Sequence, residues 1–115
     1  MLDPVSNSDL VRGSIDTIIL CVLFQGDNYG YQIIKEIYTK SGGGYELKEP
    51  TLYSSLRRLE AQGAIESYWG QETQGGRRKY YRITRVGREL YSKNYEAWQV
   101  AKNLIDRLVD REQEG

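Results

Sequence analysis

Histidine is absent from this 115-residue chain, and cysteine occurs once. Without histidine, both the commonest general base and the commonest transition-metal ligand are missing. The carboxylates are scattered and none falls into a metal-loop spacing, no Gly-rich phosphate loop occurs, and Ser54-Ser55 has no histidine to activate it. No catalytic residue, metal or cofactor is therefore expected. The lone Cys21 sits in the apolar run Ile18-Ile19-Leu20-Cys21-Val22-Leu23-Phe24, where a small buried hydrophobe is expected and disulfide chemistry is not, which fits a reducing cytoplasm. That run is too short to span a bilayer, and the amino terminus lacks the basic patch and cleavage site of a signal peptide, so no membrane partner is expected.

Excess charge is also missing: 16 basic residues balance 16 acidic ones. Overall basicity thus gives no pointer to nucleic acid, but the distribution does. From Lys48 to Arg88 there are nine Lys/Arg against four Asp/Glu, leaving seven against twelve elsewhere. A basic segment on an acidic scaffold gives one face a phosphate-attracting potential, although chance clustering of solvated charge would look the same.

What is present centres on Pro50 to Gly63. Leu52, Leu56 and Leu59 fall at i, i+4 and i+7 and form an apolar stripe, while Thr51, Tyr53, Ser54, Arg57 and Arg58 lie on or beside the other side. Pro50 suits the first helical position and Gly63 the stop. The outward hydroxyls, phenol and guanidinium groups can bond phosphate oxygens and base edges, as a DNA-reading helix requires. An ordinary solvated helix carries similar residues, so the neighbouring elements have to decide.

The spacing predicts a first helix from Asp9 to Phe24, a second from Tyr29 to Ser41 ended by Gly42-Gly43-Gly44, and a short strand at Tyr45-Glu46-Leu47-Lys48 before the helix at Pro50. Residues 64–69 read as a strand with Ile65 and Trp69 inward. Its partner is 79–84, joined through a tip at Gly75-Gly76 that is followed at once by Arg77, Arg78 and Lys79. A cationic hairpin after a polar-faced helix is the order of a winged helix-turn-helix. The helix would enter the major groove and the hairpin would touch the neighbouring backbone, with Lys48, Gly75 and Gly76 completing the contact set.

The last helix runs from Arg85 to about Arg111, with Thr84 as its cap and no proline to interrupt it. Tyr91, Trp98 and Ile105 are seven apart, as are Leu90, Ala97 and Leu104, with Ala101 and Leu108 filling the stripe. Such a stripe either folds back on its own domain or pairs in a symmetric homodimer, which suits a palindromic double-stranded operator. The expected fold is thus α+β and mostly α, with a winged helix-turn-helix over 1–84 and a dimerisation helix with a frayed tail over 85–115. A protein-docking adaptor of the same fold remains open.

Gly30-Tyr31-Gln32-Ile33, Thr51-Leu52-Tyr53, Arg58-Leu59-Glu60, Gly63, Ser67-Tyr68-Trp69 and Gly75-Gly76-Arg77-Arg78-Lys79-Tyr80-Tyr81 closely resemble the PadR family of bacterial transcriptional repressors. Gln25-Gly26-Asp27-Asn28-Tyr29 and Glu96-Ala97-Trp98 resemble the compact branch, which includes repressors of multidrug pumps. The resemblance implies a homodimer in which paired tryptophans flank a pore for planar aromatic compounds. Carried over by position, Trp98 matches that tryptophan, and Tyr95, Ala101, Lys102, Leu10, Asp16 and Thr17 would lie near the pore. Pro50 and Ser54 depart from what many members carry.

Overall fold

The computed structural model describes residues 11–71 and 75–109. Among these, four helices and a three-stranded antiparallel sheet run in the order α1 (Ile15–Phe24), β1 (Asn28–Tyr29), α2 (Gly30–Lys40), α3 (Glu49–Ala61), β2 (Ile65–Trp69), β3 (Lys79–Ile83) and α4 (Arg85–Leu108). The fold is mostly helical α+β, with the sheet order β1-β3-β2. This is the winged-helix arrangement that the sequence pattern predicts.

The core forms where the predicted stripes meet. Ile15, Ile19, Leu20, Val22 and Leu23 of α1 pack with Ile33 and Ile37 of α2, Leu52, Leu56 and Leu59 of α3, and Ile65, Tyr81 and Ile83 of the sheet. Burying each such aliphatic side chain contributes on the order of 1.5–3 kcal/mol. Both α2 and α3 end in the same way. Gly42 (φ 65°) and Gly63 (φ 76°) take the left-handed conformation. Their amides bond to Thr39 O and Glu60 O, and the next amides reach Tyr38 O and Leu59 O. These paired bonds satisfy the last carbonyls of each helix.

Four expectations are corrected. The first helix is broken: residues 11 and 12 are helical, Gly13 and Ser14 form a turn in which the Ser14 amide bonds Val11 O at 2.8 Å, and α1 begins at Ile15. Glycine's poor helix propensity permits the break. Tyr45 to Lys48 is an irregular connection and not a strand. Ser41 Oγ takes the Tyr45 amide at 3.0 Å, and Leu47 drops into the core. The third strand is instead Asn28–Tyr29, which pairs with Tyr81 and Tyr80 and occupies the edge of β3 opposite β2. Trp69 is more than half exposed. It shares a strand face with Ile65, but the core ends beneath Ile65, leaving Trp69 out on the wing.

The amino end of α4 is clamped to the body. Thr84 Oγ1 accepts from the Gly87 amide at 3.1 Å and donates to Gly63 O at 2.6 Å. Gly87 lies so close to the β2 entrance that a β-carbon there would stand 2.0 Å from Ala64 O.

Candidate nucleic-acid interface and effector groove

On α3, Leu52, Ser55, Leu56 and Leu59 are buried, and this fixes which residues face out: Thr51, Tyr53, Ser54, Arg57 and Arg58 are all exposed. Each has a distinct setting. Arg57 Nη2 approaches Ser54 Oγ at 3.5 Å, and Lys48 Nζ meets Glu46 Oε1 at 3.1 Å in a solvated pair that contributes little to stability. Arg58 makes a bidentate pair with Asp16 of α1, Nε to Oδ2 at 2.9 Å and Nη2 to Oδ1 at 2.7 Å. Nη2 also reaches Ser55 Oγ at 3.0 Å. The hydrogen bond to Asp16, and next its charge, raise the Arg58 pKa above its ordinary value.

The wing places its cations on aromatic faces. Arg77 lies over Trp69 at 5.4 Å, Arg78 over Tyr29 at 4.7 Å and Lys79 over Tyr81 at 5.9 Å. Cation–π contacts hold these side chains near the strands while leaving their charge toward solvent. Gly76 (φ 94°) supports the turn, and the rest of the expected tip, 72–74, lies outside the described residues.

Helix and wing converge on a hollow of about 430 Å³ lined by Tyr29, Gly30, Tyr31, Tyr53, Arg78, Lys79 and Tyr81. Tyr29, Gly30 and Tyr31 are absent from the sequence-derived contact set. Two tyrosines bracketing a helix-starting glycine were the available signal. A second hollow, about 280 Å³, lies along the other edge of α3 between Arg12, Ile15, Pro50, Thr51, Ser54, Ser55 and Arg58. Helix α3 is thus flanked by wing cations on one side and by the start of α1 on the other.

A separate groove of about 600 Å³ runs between α1 and α4. Thr17, Tyr91, Tyr95, Ala97 and Trp98 line it together with Val11, Gly13, Ser14, Ile18, Cys21 and Asn94. The rings form a ladder, with centroids 5.2 Å apart for Phe24–Tyr91, 6.2 Å for Tyr91–Tyr95 and 6.3 Å for Tyr95–Trp98. Tyr91 Oη donates to Cys21 Sγ at 3.5 Å, and this bond, with burial second, raises the Tyr91 pKa.

The structure separates other residues from this groove. Asp16 turns to Arg58 and does not line it, because α1 presents Thr17 and Asp16 to different neighbours. Ala101 and Lys102 lie beyond it, Lys102 pairing with Asp106 at 3.2 Å, and Leu10 lies outside the described residues. Leu90 and Tyr91, expected on a dimer seam, are partly buried against the chain's own core because the Gly87 clamp lays the start of α4 on the body. Trp98, Leu104, Ile105 and Leu108 are exposed.

Residues 19–93 match the Transcriptional regulator PadR-like family. The chain belongs to the PadR family. It is similar to a transcriptional regulator of Clostridium thermocellum, at 48% identity over 90% of this chain and 100% of that one, with a TM-score of 0.83. A PadR family regulator of Clostridium difficile R20291 is 34% identical over 84% of this chain and 99% of its own, with a TM-score of 0.73. An uncharacterized protein X of Lysinibacillus sphaericus is 41% identical over 103 residues, which is 90% of this chain and 94% of that protein. PadR-family proteins regulate transcription and are not enzymes, and they bind operator DNA and commonly dimerise. This PadR-family regulator carries the winged helix for that role, and no described helix is long and apolar enough to cross a membrane.

Proposed function

We propose that this PadR-family regulator is a cytoplasmic homodimeric repressor of a transporter or stress gene and of its own gene. It leaves a palindromic operator when a planar aromatic compound stacks at the dimer interface. No metal or cofactor enters this reading. The observation that carries it is the α1–α4 groove, where Tyr95 and Trp98 stand at the open side and both are about half exposed. Trp98 continues into exposed Val100, Leu104, Ile105 and Leu108, an apolar run that a second copy would cover. Pairing two grooves across that seam sets two Trp98 rings around one flat ligand, with stacking and cation–π attraction for a cationic compound. The likeness to the multidrug-pump repressor LmrR in the Gln25 to Tyr29 and Glu96 to Trp98 stretches supports the same reading. Release requires the ligand to favour one spacing of the two α3 helices, since equal affinity for both states shifts nothing.

The continuity of Trp98 with the apolar run also supports a second reading, in which Trp98 only packs the dimer and another signal is sensed. The deciding experiment is competition binding at fixed salt, with labelled DNA from just upstream of this protein's own gene against excess random duplex. Retained binding supports the operator-specific regulator, and a planar cationic dye titrated into that complex should then release the DNA. Loss of all sequence preference would instead indicate a non-specific DNA binder or a protein-docking adaptor.

A further inference from the structure

The Asp16–Arg58 pair places a carboxylate inside a face built for phosphates. Asp16 belongs to α1, yet its two oxygens hold the Nε and Nη2 edge of Arg58 at 2.9 and 2.7 Å, and the buried Ser55 hydroxyl accepts a third bond at 3.0 Å. Arg58 shares its hollow with Thr51, Ser54 and Arg12. The side chain of Arg58 is 51% exposed and that of Asp16 27% exposed, so the pair stands at the surface where DNA would lie.

An unpaired arginine on that edge would attract any backbone phosphate, and phosphate attraction is blind to sequence. A bidentate carboxylate changes this in three ways. It fixes the plane of the guanidinium through two nearly parallel bonds, and it cancels the charge that would otherwise collect phosphates. It also adds a repulsive element, which is how discrimination is gained when every sequence carries the same backbone. Arg57, one position earlier, has only the 3.5 Å approach to Ser54 among the described residues and suits the role of phosphate cation.

The geometry points to Asp16 as a positioning residue for specificity: it withholds Arg58 from phosphates and suppresses binding to non-operator DNA. This rests on the reading that α3 and its hollows face DNA.

The test uses the full-length chain, with Asp16→Asn, Arg58→Gln and the double variant, against random-sequence duplex and upstream DNA over a salt series. Asparagine keeps the shape and one acceptor but drops the charge. Asp16→Asn should raise affinity for random duplex on the order of fivefold at low salt, steepen the log–log salt slope by roughly 0.9, as for one added phosphate contact, and reduce the upstream-to-random ratio. The double variant should return the slope to the wild-type value. An unchanged slope and ratio in Asp16→Asn, or a parallel loss on both duplexes with a lower melting temperature, would overturn the proposal while leaving operator recognition intact. A wild-type chain with no preference for upstream DNA would overturn both.

Discussion

Gly30 lies beneath the ring of Tyr53, so close that a β-carbon there would stand 2.4 Å from the phenolic oxygen and 3.3 Å from Leu52 Cδ2. The start of α2 therefore sets where the Tyr53 hydroxyl points on the exposed face of α3. Gly30→Ala should displace the end of that flexible side chain, costing on the order of 1 kcal/mol in stability but relaxing sequence preference about as much as Tyr53→Phe does. Equilibrium unfolding together with binding to a panel of single-base operator variants checks this. A large stability loss with unchanged preference would contradict it.

Arg77 and Arg78 sit on opposite aromatic supports, Trp69 and Tyr29. Alanine at either should weaken all DNA sequences to a similar degree and lower the salt slope by roughly 0.9 if one phosphate contact is lost. Ser54→Ala should instead change base preference at nearly constant slope. Salt-dependent titrations on matched and mismatched duplexes separate the two behaviours.

Gly87→Ala would push a methyl group 2.0 Å from Ala64 O and 2.7 Å from Ile83 Cγ1, and the first of these is backbone that cannot swing aside. A destabilisation of about 1–3 kcal/mol or more is expected, with α4 lifted from the body. The midpoint of denaturant unfolding reads it directly.

Trp98→Ala should weaken binding of a planar cationic dye, followed by the dye's own fluorescence, if the groove takes such ligands. A purely structural Trp98 predicts a different result: weaker dimerisation by sedimentation, and no dye binding even in the wild-type chain. Each reading fails on the other's result.

Burial raises the Tyr81 pKa above its ordinary 10.0, with the charges of Tyr53 and Glu60 adding to it. The folded state thus keeps a proton that the unfolded chain releases. Stability is full below about pH 10 and falls as pH rises toward the folded value. Tyr81→Phe should flatten that alkaline decline in urea midpoints measured across the alkaline range. Part of the decline should persist, because Tyr91 and Tyr68 are also raised, by hydrogen bonds to Cys21 and Asp27.

Periodicity alone determined the three apolar stripes, the α3 face, the β2–β3 hairpin and the Gly42 and Gly63 stops, because side-chain spacing and positive-φ glycine are local properties of the chain. Short elements were illegible. Two residues at Asn28–Tyr29 have no period to detect, and they become a strand only because the free edge of β3 lies beside them. The alternating 45–48 stretch carried a strand pattern but had no edge left to pair with, so Leu47 went to the core instead. The partners of charged and aromatic side chains also waited on tertiary structure. Asp16 and Arg58 are 42 positions apart and meet only because the first turn of α1 packs against the last turn of α3. Likewise Leu90 and Trp98 share one helix, yet one is spent on the chain's own core and the other is left exposed, since contact at Gly87 decides how much of α4 lies on the body. Local pattern determines which surfaces exist, and only packing decides which of them are already used.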